Sequence, residues 1–239
     1  MFRFKKVSIL IIVAIVSGLI SCNKDDLNDG ELVIVGDVFI LKRVLNDKIQ
    51  YGQTYYLYGN YPLSSASVAT PDGDNIPLSA YDALSLIYSN DPFAIEYSET
   101  LPQNGTFDFT AKYLEQDYTT TDNLDFTDMA IPEITSTEYL SSTQTLKVDW
   151  NAVPGADSYI IRMLNVDNDV FFTGYLLDED ATSYEINTNT GTWLDLPNYN
   201  QPLVLELHAS RYEENADGLE TYNIEETSIA EKTIYWGLD

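Results

Sequence analysis

Leu146-Lys147-Val148-Asp149-Trp150-Asn151-Ala152-Val153-Pro154-Gly155-Ala156-Asp157-Ser158-Tyr159-Ile160-Ile161-Arg162-Met163 is the stretch whose reading decides the fold. Its opening residues alternate apolar and polar, so Leu146, Val148 and Trp150 share one face of a half-buried strand. Pro154 and Gly155 punctuate a turn, after which Tyr159, Ile161 and Met163 repeat at period two and set a second strand against the same core. Downstream, Leu203, Leu205, Leu207 and Ala209 alternate with Val204, Glu206, His208 and Ser210, while Thr182 to Ile186 and Ser228 to Tyr235 supply further strands. Upstream, the same reading gives strands over Leu32 to Val44, interrupted at Gly36, and over Thr54 to Tyr61, Ala66 to Thr70, Phe93 to Tyr97 and Thr106 to Leu114. Pro71-Asp72-Gly73-Asp74 is an evident turn. Helical periodicity is nearly absent, Ser79 to Tyr88 being its best stretch. The pattern predicts an all-β chain of two tandem β-sandwiches, residues 31–130 and 131–239.

The tryptophan, the Gly-Ala turn and Tyr159 at this spacing, with Leu194-Asp195-Leu196-Pro197 before the Leu203 strand, make residues 131–239 resemble a fibronectin type III domain. The chain departs from that family at Leu203, where a corner tyrosine is usual. Residues 31–130 are read as an immunoglobulin-like sandwich, with no disulfide to pin the topology.

Outward from the sandwiches, the N-terminus carries Arg3, Lys5 and Lys6, an apolar run from Val7 to Ile20, and Leu19-Ile20-Ser21-Cys22. The run is short for a bilayer span and has the layout of a secretory signal. Leu19 to Cys22 resembles the lipobox of bacterial lipoproteins. The resemblance implies cleavage of residues 1–21 and lipidation of Cys22 by a diacylglyceryl group and an N-acyl chain such as palmitate. Residues 22–30, beginning Cys22-Asn23-Lys24-Asp25-Asp26, read as a flexible acidic tether. They resemble the export signal of Bacteroidota surface lipoproteins, which implies an outer-membrane location facing outside the cell; a plain solvated spacer at the periplasmic face is the alternative reading.

Composition excludes several classes of function. The chain has 12 Lys+Arg against 38 Asp+Glu, and signal cleavage would remove three of the basic residues. Nucleic-acid binding needs basic clusters that displace phosphate counterions, and none is left. Hydrophobic residues make up 44% and aromatics 13%, enough for packed cores rather than acidic disorder. Cys22 is the only cysteine, so no disulfide can form within the chain.

Motifs for chemistry are sparse. His208 is the only histidine, and strand alternation puts it on the outward face beside Glu206 and Ser210, as a surface histidine. GxSxG, HExxH and Walker-type loops are missing. Acidic residues offer countless carboxylate pairs, so pairing alone carries no information on hydrolysis. Asp72/Asp74, Asp167/Asp169 and Asp178/Asp180 are D-x-D pairs without the glycine and distal glutamate of an EF-hand, and are read as solvated turns rather than calcium ligands. No metal site or cofactor is expected.

Aromatic residues give the better pointer to binding. Tyr51, Tyr55, Tyr56, Tyr58 and Tyr61 crowd one strand region, and Trp193 follows Asn187-Thr188-Asn189-Thr190-Gly191-Thr192. A tryptophan among Asn and Thr suits a pyranose face; equally, Trp193 could cap the core and the tyrosines could fit the pleated sheet. The candidate ligand-binding residues are therefore Trp193, Tyr56 and Tyr58. The expected function is a non-catalytic, lipid-anchored binding or spacer module for an extracellular glycan or surface protein, similar in architecture to accessory lipoproteins of glycan uptake. Alternatives are a subunit or accessory of a fimbria-like assembly and, more weakly, a carboxylate-dependent hydrolase.

Overall fold

The computed structural model describes residues 31–92, 96–214 and 223–238, and the signal segment, Cys22 and the tether lie outside them. Among the described residues every named element is a strand. The described residues divide into two compact units, one holding 31–128 together with 212–214 and 223–226, the other 129–211 and 227–238.

In the N-terminal unit β1 (Ile34–Leu45) and β2 (Lys48–Gly59) form a long antiparallel hairpin in unbroken register from Ile34↔Gly59 to Leu45↔Lys48. Asn46 and Asp47 turn it at φ of 52° and 63°, the conformation a tight two-residue hairpin turn requires. β3 (Ser65–Ala69), β4 (Asn75–Ala80), β5 (Ile87–Asn90), β6 (Gly105–Tyr113) and β7 (Gln116–Leu124) complete the unit in the order β1-β2-β5-β4-β3-β6-β7. β4 changes partner along its length, Asn75 to Leu78 pairing with β3 and Ser79 and Ala80 with β5. That exchange folds the strands into two layers around Val38, Ile40, Leu57, Val68, Phe107, Phe109 and Ala111, all buried. Gly36 breaks the apolar run of β1 because the Phe109 ring occupies the place of its side chain, a Cβ there falling 2.4 Å from Phe109 Cδ2.

The stretch Ser79 to Tyr88 is not helical: it comprises the end of β4, a turn and the start of β5. The Asp82 carboxylate accepts the N–H groups of Leu84, Leu86 and Ile87 at 3.0, 2.8 and 2.9 Å, a side-chain substitute for helix bonding. Of the expected Phe93–Tyr97 strand, residues 93–95 lie outside the described residues, and the neighbouring Ser98 makes an isolated bridge with Tyr51.

The C-terminal unit contains β8 (Ile134–Leu140), β9 (Thr145–Trp150), β10 (Ser158–Leu164), β11 (Val170–Thr173), β12 (Leu177–Asp178), β13 (Ser183–Ile186), β14 (Thr192–Trp193), β15 (Pro202–Tyr212) and β16 (Ile224–Tyr235), the last two extending past its bounds. One sheet runs β13-β9-β8 and the other β14-β11-β10-β15-β16, with β12 also on β10. Between them Leu146, Val148, Trp150, Tyr159, Ile161, Met163, Leu203, Leu205, Leu207 and Ala209 pack as the alternation predicts. Burying each large apolar side chain contributes about 1.5–3 kcal/mol. The Tyr159 hydroxyl accepts the Val153 N–H at 2.7 Å and Gly155 sits at φ 83°, so the Pro154-Gly155 turn is fastened to the core by the residue the sequence pattern singled out.

Candidate functional site

β8 leads from the chain's entry into the C-terminal unit to the turn at Leu140–Thr145, and Ile186 of β13 pairs with Leu146 just beyond it. The loop 187–201 therefore sits at the end of the sandwich away from that entry. Its first part is a locked turn. Asn187 N–H donates to Thr190 Oγ1, and the Asn187 side-chain oxygen accepts from Asn189 N, both at 2.9 Å. Gly191 follows at φ 66°, where a Cβ would meet the Thr173 carbonyl at 2.4 Å, so glycine is required.

The turn delivers Trp193 onto Phe172 and Trp236, with ring centroids 4.7 and 5.6 Å away, and its indole N–H donates to the Asn187 carbonyl at 2.9 Å. Trp236 in turn meets Tyr139 edge-on at 5.2 Å. Trp193 is thus half-buried and closes the end of the core, with its polar atom already engaged. The exposed apolar groups of this loop are its neighbours Leu194 and Leu196, each 56% exposed, and Tyr199 at 74%. Tyr199 lies against the C-terminal turn at Gly237, where a Cβ would fall 2.6 Å from its Cδ2. Asn200 N–H donates to the Trp236 carbonyl at 2.6 Å and Trp236 N–H to the Gln201 carbonyl at 3.0 Å, so the loop is braced. An exposed phenol on a braced loop with the amides of Asn198, Asn200 and Gln201 nearby in sequence can stack on an apolar ligand face and bond hydroxyl or amide groups around it.

The tyrosine strand is differently disposed. Tyr56 is buried, stacked on Phe39 at 5.8 Å, and donates its hydroxyl to Asp91 at 3.1 Å. Tyr58 is half-buried. Tyr55 belongs to the core, Tyr51 meets Phe126 edge-on, and Tyr61 packs on Tyr113. These rings serve packing within the N-terminal unit, whereas Trp193 belongs to the other unit.

His208 corrects a further expectation. Alternation assigns its face properly, opposite Leu207 and Ala209, but that face is also covered, and His208 is only 6% exposed. Its Nε2 lies 2.9 Å from Glu206 Oε2, with Arg162 Nη1 3.7 Å from the same oxygen, and Ser210 shares a 2.9 Å hydroxyl bond with Thr227. A buried polar trio of this kind, built on the Arg162–Glu206 ion pair, is a structural network in which each member satisfies the others. Among the described residues no group of three or more His, Cys, Asp or Glu side chains could hold a metal. Asp167 and Asp169 instead donate backbone N–H groups to Asn165 Oδ1.

One cluster escaped the sequence reading. Asp37 on β1, Asp122 on β7 and Glu213 just past β15 converge in the N-terminal unit. Asp122 Oδ2 accepts the Val38 N–H at 2.7 Å and Oδ1 accepts its neighbour Asn123 N–H at 2.8 Å, while Asp37 Oδ2 accepts the Ile224 N–H at 3.5 Å. Burial, and then the charges of Asp122 and Glu213, hold the Asp37 carboxyl well above its usual range. Burial raises Asp122, against the lowering effect of its N–H donors. Glu213 is pushed up to about 7 by burial first, then by the Asp122 charge, by its hydrogen bond to Asp122 and by Glu225. The three positions are far apart in sequence, and a lone Asp in an apolar strand was the only available signal.

No family model matches the chain, and no curated protein does. Among solved structures it is similar to the FN1–FN3 domains of chicken CNTN1, at 14% identity and a TM-score of 0.31, over 85% of this chain and 64% of that one. The chain therefore spans just under two thirds of that structure's length. It is similar also to a two-domain fibronectin type III segment of chicken tenascin, at 11% identity and a TM-score of 0.25, over 86% of this chain and 97% of the other. A tetra-tandem repeat from the extending region of a large adhesion protein gives 16% identity and a TM-score of 0.24, over 84% and 50%. With all three scores this low, the β-sandwich assignment rests on the strands and cores described above.

Proposed function

We propose that the chain is a non-catalytic surface lipoprotein, held on an outer membrane through lipid on Cys22 and facing outside the cell, whose loop 187–201 binds an extracellular ligand. The observation that carries this reading is Tyr199, exposed yet seated on the Gly237 turn, on a loop whose backbone is tied to Trp236. Ordering of the loop in advance lowers the entropic cost of binding. The acidic balance of the chain opposes polyanions, and the ligand class proposed is an uncharged glycan or a surface protein. Trp193 acts in this reading as the support of the loop, and Tyr199 supplies the contact face.

Affinity electrophoresis through gels containing neutral polysaccharides, alongside pull-down of isolated envelope proteins, tests the site. At least one ligand should retard or capture the full chain, and Tyr199→Ala should lose about 1–3 kcal/mol of that affinity, as an exposed stacking ring does. Binding that is unchanged in Tyr199→Ala would place the site elsewhere. No interaction with any polysaccharide or envelope protein would sink the reading.

A further inference from the structure

β1 carries a lysine where its alternation calls for a core residue. Val38, Ile40 and Lys42 follow one another at period two on one face of the strand, and the first two belong to the core of the N-terminal unit. Lys42 is only 2% exposed. Its Nζ lies 2.6 Å from Asp128 Oδ1 and 5.7 Å from the ring centroid of Tyr51, its cross-strand partner on β2. The Tyr51 hydroxyl donates to the same oxygen at 3.4 Å, and Phe126 meets the Tyr51 ring edge-on at 6.2 Å. The backbone leading to Asp128 is fixed as well: Phe126 N–H donates to Asn104 Oδ1 at 3.1 Å and Thr127 N–H to Glu225 Oε1 at 2.8 Å. All of these residues belong to the N-terminal unit. The exposed pair Lys48–Glu99 has two mobile, solvated side chains, whereas here the amine is shut away from water and anchored against a carboxyl 86 positions along the chain.

We propose that Lys42 and Asp128 condense into an isopeptide bond, a covalent tie from β1 to the segment after β7 in a chain that cannot form a disulfide. The ammonium passes one proton to Oδ1 across the 2.6 Å hydrogen bond, leaving a neutral amine and a carboxylic acid. The Nζ lone pair then attacks Cγ, at most about 4 Å away, because only one C–O bond separates that carbon from Oδ1. The Cγ–Oδ1 bond breaks and the hydroxyl leaves with a second amine proton, so that an ammonium and a carboxylate become one neutral amide and one water. The Tyr51 hydroxyl, donating to Oδ1, assists the departure of that oxygen. Condensation is unfavourable between free amine and acid in water, but well-oriented neighbouring groups reach effective molarities of about 10⁵–10⁸ M. The product also removes a buried charge, and the half-exposed face of Asp128 lets the water out.

Trypsin digestion of the denatured full chain, read by mass spectrometry, tests the bond. The peptide carrying Lys42 and the peptide carrying Asp128 should appear as one branched species, lighter than their sum by one water, with no cleavage after Lys42. Lys42→Arg and Asp128→Ala should each give the two peptides separately. Boiled in SDS, both variants should migrate more slowly than the unmutated chain, whose closed loop keeps it compact. The unmutated chain alone decides the matter, so a substitution that impairs folding does not obscure the result. Separate peptides from the natively purified unmutated chain, with cleavage after Lys42, would show an ion pair only and overturn the proposal, as would a branched species that persists in Asp128→Ala.

Discussion

Replacing Tyr159 by Phe removes one oxygen from the centre of the stretch that specifies the C-terminal fold. The ring is fully buried, 5.6 Å from Trp150, and Phe retains all of its apolar contact. What changes is the Val153 N–H, which donates to the Tyr159 hydroxyl at 2.7 Å in a buried environment. Left without an acceptor, a buried backbone N–H costs about 1–3 kcal/mol. For a unit of this size that lowers Tm by roughly 5–20 °C, since each kcal/mol corresponds to about 4–8 °C. All three tryptophans of the chain, Trp150, Trp193 and Trp236, belong to the C-terminal unit, so indole fluorescence during urea unfolding of the full chain reports on it alone. Tyr184→Phe is the matched control: its hydroxyl accepts the exposed Tyr175 N–H at 3.3 Å, and its loss should cost no more than about 0.5 kcal/mol. If Tyr159→Phe unfolds at the same urea concentration as the unmutated chain, the turn is not fastened by this bond and the physical reason given for the Gly-Ala…Tyr spacing is wrong.

Other perturbations follow from the geometry. Gly36→Ala drives a methyl into the Phe109 ring of the N-terminal core and should cost about 1–3 kcal/mol, read as earlier loss of protection in N-terminal peptides by hydrogen exchange during denaturation. Gly191→Ala combines a left-handed φ with a 2.4 Å approach to the Thr173 carbonyl; a destabilisation of at least about 1–2 kcal/mol in the fluorescence melt is expected, together with weakened ligand binding as the loop loses its form. Because Asp37 and Glu213 both have raised carboxyl positions, the N-terminal unit should lose stability between about pH 4.5 and 7, the window between the ordinary and folded values for Glu213. Solvent screening at the half-exposed Glu213 limits its share to about 1 kcal/mol, and tyrosine-detected melts over that range would show it as a lowered midpoint at higher pH.

Period-two alternation made the C-terminal core legible from sequence. Tyr159, Ile161, Met163, Leu203, Leu205 and Leu207 stand where their spacing puts them because a strand fixes side-chain direction residue by residue. The same rule says nothing about what covers the opposite face, which is why His208 was assigned to the correct side but the wrong environment. β7, with the sequence Gln116-Asp117-Tyr118-Thr119-Thr120-Thr121-Asp122-Asn123-Leu124, carries almost no apolar signal and is specified instead by its hairpin with β6. Trp193 could be recognised as a candidate, yet its commitment to Asn187, Phe172 and Trp236 depends on three segments meeting in space. Tyr199, in the same loop, had no motif to mark it. The acidic cluster was hidden for the same reason, since Asp37, Asp122 and Glu213 become neighbours only when the hairpin returns to β1 and β7.

Display on the cell surface through Cys22 is the claim on which the proposed function depends, and it yields to one measurement. Intact cells expressing the full chain or Cys22→Ser are treated with a protease that cannot cross the outer membrane, and the chain is followed by immunoblot beside a periplasmic control. The unmutated chain should be membrane-bound and degraded while the control survives, whereas Cys22→Ser should accumulate unprocessed or soluble and be protected. A Cys22→Ser chain that matures normally, stays on the membrane and is degraded like the unmutated one would contradict the account.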